Sequence, residues 1–446
     1  MGWLRRVGAL AAAISVGAAT PDLAAQDAGP APLRLTLSEA VRRALEANPS
    51  VRAAALDGAA AEVARALTRA TLLPSVGLRA GRDVTRLNAE TMFGTALATP
   101  TIGPFSTMAA VGVVSVPIVD VAAVRAHAIT RQQAVAARAG ERVVREANVL
   151  AAAGAYLDLL EALATREAAR ERLRLAQALR DLASDLQRRG SGTGLDALRA
   201  DVQWHAERQA LIEADADARV ATLRLANVLN LPQGRPIECS DAEIFFAPVT
   251  LAPSPATSLR PELLVAWTNV DIARLGVRRA LDLRLPRVSV TGTAGAAALQ
   301  SNPWLGTYQV VASVQMPLFT GGELRAREAL ARIGRERAEV IAEEVQNAVS
   351  LEEAAAAARL AAAEARAPLA DDAARLAAAE VEQARDRFAA GVAGNVEVIA
   401  AQTALARAQA NRIAAYASVR RARLWLAHAR GRAELEYVSA SVADRR

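Results

Sequence analysis

Aromatic residues make up only 3% of this 446-residue sequence, which contains one cysteine and no lysine. Because hydrophobic residues still reach 52% and many of them are alanine, the composition favours closely packed helices over the core of a large globular enzyme. The single cysteine, Cys239, excludes a disulfide framework within the chain. Its simplest interpretation is an unpaired thiol in a loop.

Motifs that carry chemistry are also missing. The stretch GSGTG at 190–194 follows a helical pattern instead of a strand and lacks the Lys-Ser/Thr ending of a phosphate loop. His127, His205 and His428 each stand without a second ligand at helical spacing, and no GxSxG nucleophile elbow occurs. We therefore predict no enzyme activity, no cofactor and no metal site.

The charged residues indicate a solvated, mixed surface. Net charge is +6, but the arginines alternate with Asp and Glu along the helical segments. No basic cluster with interleaved aromatics appears, which argues against nucleic-acid binding.

The N-terminus has the pattern of a secretory signal peptide. Arg5 and Arg6 precede an apolar run at 7–19, and small residues follow, so that cleavage after Ala19 or Ala25 is expected. The apolar run is too short to span a bilayer as a helix. We take residues 1–25 as the signal peptide.

The remaining chain is internally duplicated. Pro49 and Pro261 differ by the same 212 positions as Pro74 and Pro286, and the breaks at Gly190 and Gly391 lie 201 apart. Each half has the order helix, extended region, very long helix, glycine turn, helix. This predicts a first repeat at 26–231, a linker at 232–258, a second repeat at 259–432 and a C-terminal tail at 433–446.

Alternating segments within each half predict strands. In TYQVVASVQMP, for example, the apolar residues from Tyr308 to Met316 fall on one face and the polar residues on the other. Two hairpins, hence four strands per chain, are expected, and their pattern resembles membrane-barrel strands. Because four strands cannot close a barrel, a homo-oligomer follows. An aromatic girdle is predicted near the hairpin tips at Phe93, Phe105, Trp304 and Tyr308.

Between the strands and the glycine breaks the sequence predicts very long helices. Residues 121–189 contain no proline, so one helix of about 70 residues is expected, on the order of 100 Å long. Two shorter helices stacked end to end could line it. After each break an apolar seam follows 3,4 spacing, from Leu195 to Leu223 and in the same register from Val396 to Leu424.

The glycine breaks themselves predict the tips of helical hairpins. Gly190 and Gly391 can adopt the left-handed conformation that ends a helix, and basic residues precede both. Thr193 and Asn395 are candidate N-caps of the returning helices.

An acidic residue follows each tip, at Asp196 and at Glu397. Two interpretations stay open. Each carboxylate can simply stabilise the first turn of its helix. Alternatively, tips that converge on an oligomer axis would place these residues in acidic rings that attract cations.

The segment RFAAGVAGNVEVIAAQTALARAQ at 387–409, together with LTLSEAVRRALEANPSVRAA at 35–54, resembles the TolC family of outer-membrane efflux and export channels. The resemblance implies a mainly α fold: a homotrimer with a 12-stranded β-barrel in the Gram-negative outer membrane and an α-helical tunnel across the periplasm. It also implies a periplasmic adaptor protein that docks on the tips and couples the channel to an inner-membrane pump. Asp196 and Glu397 would then stand at the periplasmic gate. The adaptor-docking residues would be Gly190, Gly194, Leu195, Gly391, Val392 and Gly394.

The resulting functional prediction is a passive conduit of a tripartite efflux or type I secretion system. The alternative is a secreted or periplasmic coiled-coil scaffold or adhesin without a pore. That alternative explains the helices but not the duplicated alternating segments.

Overall fold

The structure is a computed structural model that describes residues 32–88, 91, 94, 101–247, 260–299 and 302–443. Within these residues the elements are, in chain order, β1 (Leu33–Leu35), α1 (Leu37–Ala47), α2 (Pro49–Ala70), β2 (Ser75–Asn88), β3 (Thr101–Val119), α3 (Val121–Arg188), α4 (Gly194–Val228), β4 (Ile237–Cys239), a 3-10 turn (Ala242–Phe246), α5 (Pro261–Asp282), β5 (Arg287–Leu299), β6 (Leu305–Gln315), α6 (Glu323–Ala389), α7 (Asn395–Ala429) and α8 (Ala433–Ala443).

The two longest helices confirm the predicted design. Helix α3 runs for 68 residues, about 100 Å at 1.5 Å per residue. Asp120 caps its first turn, since the Asp120 carboxylate accepts the backbone N–H of Ala123 at 2.8 Å. Helix α6 has 67 residues and continues through Pro368, where the missing N–H removes one helical hydrogen bond without ending the helix.

Shorter helices stack end to end along these long ones, as the sequence predicted. Helices α2 and α4 both pack against α3, and their ends meet through two side-chain amides. The Asn48 amide donates to the carbonyl oxygen of Val228 and the Asn230 amide to that of Ala47, each at 3.2 Å. In the second half, α5 and α7 both pack against α6. Each chain therefore builds a wall as tall as one long helix, which equals two of the shorter helices stacked end to end.

The order of helices across this wall is defined by their contacts. Helix α3 packs between α2 and α5 near the strands, and between α4 and α7 near the glycine turns. Helix α6 packs against α5 and α7 on the far side. The stacked pair α2 and α4 therefore forms one edge of the wall, and α6 forms the other.

The four predicted long strands form one antiparallel sheet in the order β2-β3-β5-β6. This order repeats the order of the helices to which the strands connect, so the sheet continues the wall. Gly295 of β5 lies against the backbone of β3, and a Cβ there would be 2.1 Å from the carbonyl oxygen of Ala110, so the position requires glycine. Strands β2 and β6 are the two edges of this sheet. Large apolar side chains on both edge strands are exposed: Val76, Leu78, Tyr308, Val310 and Val314.

A second, small sheet corrects the prediction for Cys239. This residue does not lie in a loop; it ends β4, which pairs in parallel with β1, and it is half-buried opposite Leu35. The hydroxyl of the fully buried Tyr156 donates to the Leu35 carbonyl oxygen at 2.9 Å and also bonds Asp241. Strands of three residues show too little alternation to be read from sequence, and these two lie about two hundred residues apart in the chain.

The C-terminal helix α8 is held against the middle of α3 by a buried carboxylate. Glu146 of α3 accepts the backbone N–H groups of Ala433 at 3.0 Å and Glu434 at 3.3 Å. Arg145 forms an ion pair with the side chain of Glu434. Burial raises the pKa of the Glu146 carboxyl from 4.5 to about 7, against the lowering effect of the two N–H donors.

This carboxylate predicts a pH-dependent stability. Because the folded pKa is raised, the folded state holds a proton that the unfolded state has lost between pH 4.5 and about 7. The contribution of Glu146 to stability is therefore complete at the acidic end of this window and declines as the pH rises to about 7. Glu146→Gln should remove this slope. Compared with the wild type, the variant should be more stable at about pH 8 than at about pH 5 by about 1–2 kcal/mol, after allowance for solvent screening.

Thermal unfolding of the purified protein, followed by circular dichroism at both pH values, measures this difference. Glu167→Gln is the matched control, because Glu167 lies on the same helix and is exposed. Equal pH slopes for the wild type and Glu146→Gln would contradict the assignment.

Candidate functional site: the paired hairpin turns

Two hairpin turns lie at the end of the wall opposite the four-stranded sheet. The first tip, residues 188–196, joins α3 to α4, and the second tip, residues 387–397, joins α6 to α7. Helices α4 and α7 contact each other, and this contact brings the two tips together.

Both long helices end in the same left-handed cap, as predicted. In the first tip the N–H of Gly190 donates to the Gln187 carbonyl at 3.1 Å, and Gly190 has φ +77°. In the second tip the N–H of Gly391 donates to the Phe388 carbonyl at 3.0 Å, with φ +73° at Gly391. A second bond from the following residue, Ser191 or Val392, completes the cap in each tip. Glycine is suited to both positions because other residues are strained at positive φ.

The N-cap prediction is right for one tip and wrong for the other. The Thr193 hydroxyl oxygen accepts the N–H of Asp196 at 3.2 Å, which caps α4. In the second tip the N-cap is Gly394, and Asn395 is the first helical residue. The 201-residue offset that aligns the two tips also aligns Asn395 with Gly194, which is the first residue of α4. This alignment places Asn395 at the first helical position instead of the N-cap, and it was visible in the sequence.

Asn395 instead links the two tips. Its side chain is fully buried, and its amide nitrogen donates to the backbone carbonyl oxygen of Asp196 at 2.6 Å. The amide oxygen is buried without a hydrogen-bond partner among the described residues. Because the partner lies on the other hairpin, 199 residues away, only the packed structure reveals this contact.

An apolar cluster supports the link. Phe388, the last large residue before the second tip, is buried against Val398 and against residues of the first hairpin. The buried members of this cluster are Leu179, Ala183, Ala200, Ala377, Val381, Ala384, Phe388, Val398, Ala401, Leu405 and Ala408. The two hairpins therefore meet through a continuous core that reaches their tips.

The two acidic residues each have a partner in their own tip. The half-buried Asp196 carboxylate accepts the Thr193 hydroxyl at 2.5 Å. The exposed Glu397 carboxylate forms an ion pair with Arg387 at 3.1 Å. These contacts support the first-turn interpretation for both residues, and they leave a second role in an assembled ring as a proposal.

The predicted docking residues form the exposed end of the wall. Gly190, Gly194, Gly391 and Gly394 are exposed, and the apolar side chains of Leu195 and Val392 also face solvent. Exposed apolar side chains beside glycine backbone provide a surface that a partner can approach closely.

The predicted aromatic girdle is described in part. Phe105 is half-buried in β3 opposite Thr85, Trp304 is exposed just before β6, and Tyr308 is exposed opposite Ala294. Phe93 lies outside the described residues. The girdle stays a prediction for the assembled sheet.

A long helical wall with paired turns at one end and an open, apolar antiparallel sheet at the other is the design of an outer-membrane channel subunit. The outer membrane efflux protein family matches residues 40–231 and 252–432, so this chain belongs to that family. The family consists of channel proteins rather than enzymes, and it places the chain in the Gram-negative outer membrane. The chain is thus an outer-membrane efflux channel, and nothing supports the scaffold alternative.

Three solved structures share the fold at low sequence identity. The outer membrane protein VceC from Vibrio cholerae is 19% identical, with 89% of this chain and 96% of that chain covered and a TM-score of 0.76. The CmeC outer membrane channel of Campylobacter jejuni is 15% identical, with 92% of this chain and 88% of that chain covered and a TM-score of 0.75. The open state of the MtrE outer membrane channel of Neisseria gonorrhoeae is 18% identical, with 89% and 88% covered and a TM-score of 0.75.

Proposed function

We propose that three copies of this chain assemble side by side into one conduit, a 12-stranded β-barrel in the outer membrane continued by a helical tunnel across the periplasm. The conduit passively conducts cargo delivered by an inner-membrane pump through a periplasmic adaptor. The observation that carries this proposal is the shared order of strands and helices, which gives each chain a wall that is open at both edges.

The sheet supplies the first argument for assembly. In hydrocarbon every backbone N–H and C=O group needs a partner, so an antiparallel sheet spans a bilayer only as a closed barrel. Strands β2 and β6 are the unpaired edges of the described sheet. Pairing β6 of one copy with β2 of the next removes both edges, and three copies of four strands give twelve.

The helices supply the second argument. The predicted seam of α7 is partly buried within the chain, at Ile413, Ala417 and Leu424. Beyond the tip, the corresponding seam of α4, at the edge of the wall, is exposed at Leu198, Val202, Ile212 and Leu223. Helix α6, at the other edge, exposes its own apolar side chains at Leu330, Ile333, Val340, Leu351, Leu369 and Leu376.

These two edges differ, so they meet as unlike surfaces. A contact between the α4 edge of one copy and the α6 edge of the next is head-to-tail and closes into a ring when the rotation permits. Helix α3 is about 100 Å long, more than twice the roughly 40–45 Å of a bilayer with its headgroups. Most of the helical wall would therefore extend into the periplasm.

The tips are the proposed docking and gating end. The exposed apolar residues Leu195 and Val392, beside the tip glycines, would receive helical hairpins of the adaptor. Around a threefold axis, Asp196 and Glu397 would form two rings of three carboxylates each. Spreading of the hairpins by the adaptor would open the tunnel.

The carboxylate rings are tested by ion selectivity. With Asp196 and Glu397 both replaced by Ala, the trimer in a planar bilayer should lose several-fold in cation preference and become less sensitive to block by multivalent cations. Asp217→Ala, an exposed acidic residue of α4 away from the tip, is the control and should leave selectivity unchanged. Wild-type selectivity in the double variant would remove these carboxylates from the gate, whereas the absence of any conductance from the wild-type protein would contradict the channel itself.

A further inference from the structure

The four-stranded sheet has one apolar face. Side chains alternate between the two faces along a strand, and residues paired across antiparallel strands lie on the same face. The paired row Val76, Val114, Gly292 and Val310 crosses all four strands. This row and every second residue from it, within the regular part of the register, form the apolar face, which would contact lipid in the proposed barrel.

Arg82 and Arg86 of β2 lie on this apolar face, and both are exposed. The other charged residues of the four strands lie elsewhere. Arg79 and Asp83 alternate to the opposite face of β2, and Arg287 begins β5 at the end next to the helices. The apolar face of the described strands therefore carries two positive charges and no carboxylate.

The hydrogen bonds of these two arginines go to hydroxyl groups instead of carboxylates. Arg82 Nε donates to Ser106 Oγ at 2.6 Å, and Arg86 Nη2 donates to Thr101 Oγ1 at 3.4 Å. Neither arginine is ion-paired within the part of the chain that the structure describes. The sequence between β2 and β3 contains one carboxylate, Glu90, which can offset only one of the two guanidinium groups.

Closing the barrel adds no carboxylate to this face. Strand β2 is an edge of the sheet, and its proposed partner is β6 of the next copy. Such pairing uses backbone groups, so the side chains of Arg82 and Arg86 stay on the lipid-facing side. Strand β6 and the residues 300–304 that precede it contain no charged residue. At least one positive charge per copy is therefore left without a carboxylate from the sheet.

Both arginines lie toward the outer end of the apolar face. Strand β2 begins next to α2 and ends away from the helices, so its residues rise toward the outer surface in the proposed orientation. Val76 is its first residue on the apolar face. At about 3.4 Å per residue and a tilt of about 40°, Arg82 lies about 16 Å and Arg86 about 26 Å above Val76. The apolar band of a membrane barrel is about 25 Å tall, so Arg86 reaches the headgroup region of the outer leaflet.

The Arg82 side chain is directed the same way. Arg82 pairs with Met108, whereas Ser106, which accepts its Nε–H, lies two residues further toward the outer end of β3. Long basic side chains in a bilayer extend toward the headgroups, because a charge in hydrocarbon is costly. The bond to Ser106 leaves both Nη groups of Arg82 for an acceptor at that level.

We propose that Arg82 and Arg86 bind the phosphate groups of lipid headgroups in the outer leaflet. A guanidinium donates two parallel hydrogen bonds to a phosphate, and its planar fork matches that group better than a point charge does. The acyl chains of the same lipid would cover Val76 and Leu78 below the arginines, which are exposed in the single chain. The inference rests on the proposed function, since this face meets lipid only if the sheet spans the outer membrane.

Native mass spectrometry of the full chain, purified in detergent and titrated with diphosphoryl lipid A, tests the site. This probe carries phosphate monoesters on an acylated headgroup. We expect saturable binding to the wild-type trimer, and the double variant Arg82→Gln with Arg86→Gln should weaken it by about tenfold or more. Arg79→Gln is the matched control and should bind as the wild type does, because Arg79 is an exposed arginine of the same strand on the opposite face.

An excess of inorganic phosphate should leave the bound lipid in place, because the free ion has no acyl chains to cover the apolar face. Full displacement would assign the arginines to the free ion and overturn the headgroup proposal. Equal lipid binding in the wild type and the double variant would overturn it too, as would weaker binding in Arg79→Gln alone.

Light scattering separates a failure of this site from a failure of the conduit. A wild type that does not form a trimer would contradict the proposed function. Equal lipid binding by trimers of the wild type and the double variant would contradict only the lipid site.

Discussion

Val202→Glu should abolish the trimer, whereas Val392→Glu should leave it intact. The two valines are equally exposed in one chain, at 70% and 71%, so neither substitution should disturb the folding of a single copy. Val202 lies on the apolar edge formed by α4, where the next copy would cover it. Burying an unpaired carboxylate costs several kcal/mol, and a trimer would bury three of them. Burial of the valine itself would otherwise contribute roughly 1.5–3 kcal/mol per copy.

Light scattering in detergent and electrophoresis without heating measure the oligomeric state of both variants. Circular dichroism verifies that each keeps its helical content. If Val202→Glu forms the same oligomer as the wild type in both measurements, the α4 edge is not an interface. The Val392→Glu trimer should instead lose binding to the adaptor, because its substitution places a charge on the proposed docking surface.

Asn395→Ala should raise the resting conductance of the channel by about five- to thirtyfold. The Asn395 side-chain amide donates the hydrogen bond that joins the second tip to the backbone of the first. If opening separates the two tips, the bond exists only in the closed state, and its loss removes about 1–2 kcal/mol from that state. A difference of about 1–2 kcal/mol changes a two-state population by a factor of about 5–30.

Asn395→Asp separates the hydrogen bond from packing, since the carboxylate keeps the shape but has no N–H to donate. It should raise conductance at least as much as Asn395→Ala. Asn411→Ala, at an exposed asparagine of the same helix, is the control. Single-channel recording in planar bilayers, without the adaptor, measures all three. Unchanged resting conductance in both Asn395 variants would mean that the tips open together or not at all.

Local signals account for what could be predicted. The single helix α3 follows from the absence of proline between 121 and 189, and its end follows from Gly190. The four long strands follow from alternation between prolines and turns. The caps at Gly190, Gly391 and Thr193 depend on residues within one helical turn of each other, so a single sequence contains the whole interaction.

Two features could not be predicted because their partners are distant in the chain. Asn395 was assigned to a cap, the strongest local role for asparagine, but its partner is the carbonyl of Asp196 on the other hairpin. Cys239 was assigned to a loop because β4 is too short to show a period, and its strand forms only against β1.

The sequence by itself determined the repeated unit: its long helices, its hairpins and its turns, because each depends on residues close together in the chain. The tertiary structure alone decided which seams are used. The same apolar register occurs in α4 and α7, yet α7 lies inside the wall and α4 at its edge. Apolar burial has no direction of its own, so a seam shows only that it will be covered. The order of the helices decides whether the cover comes from the same chain or from another copy.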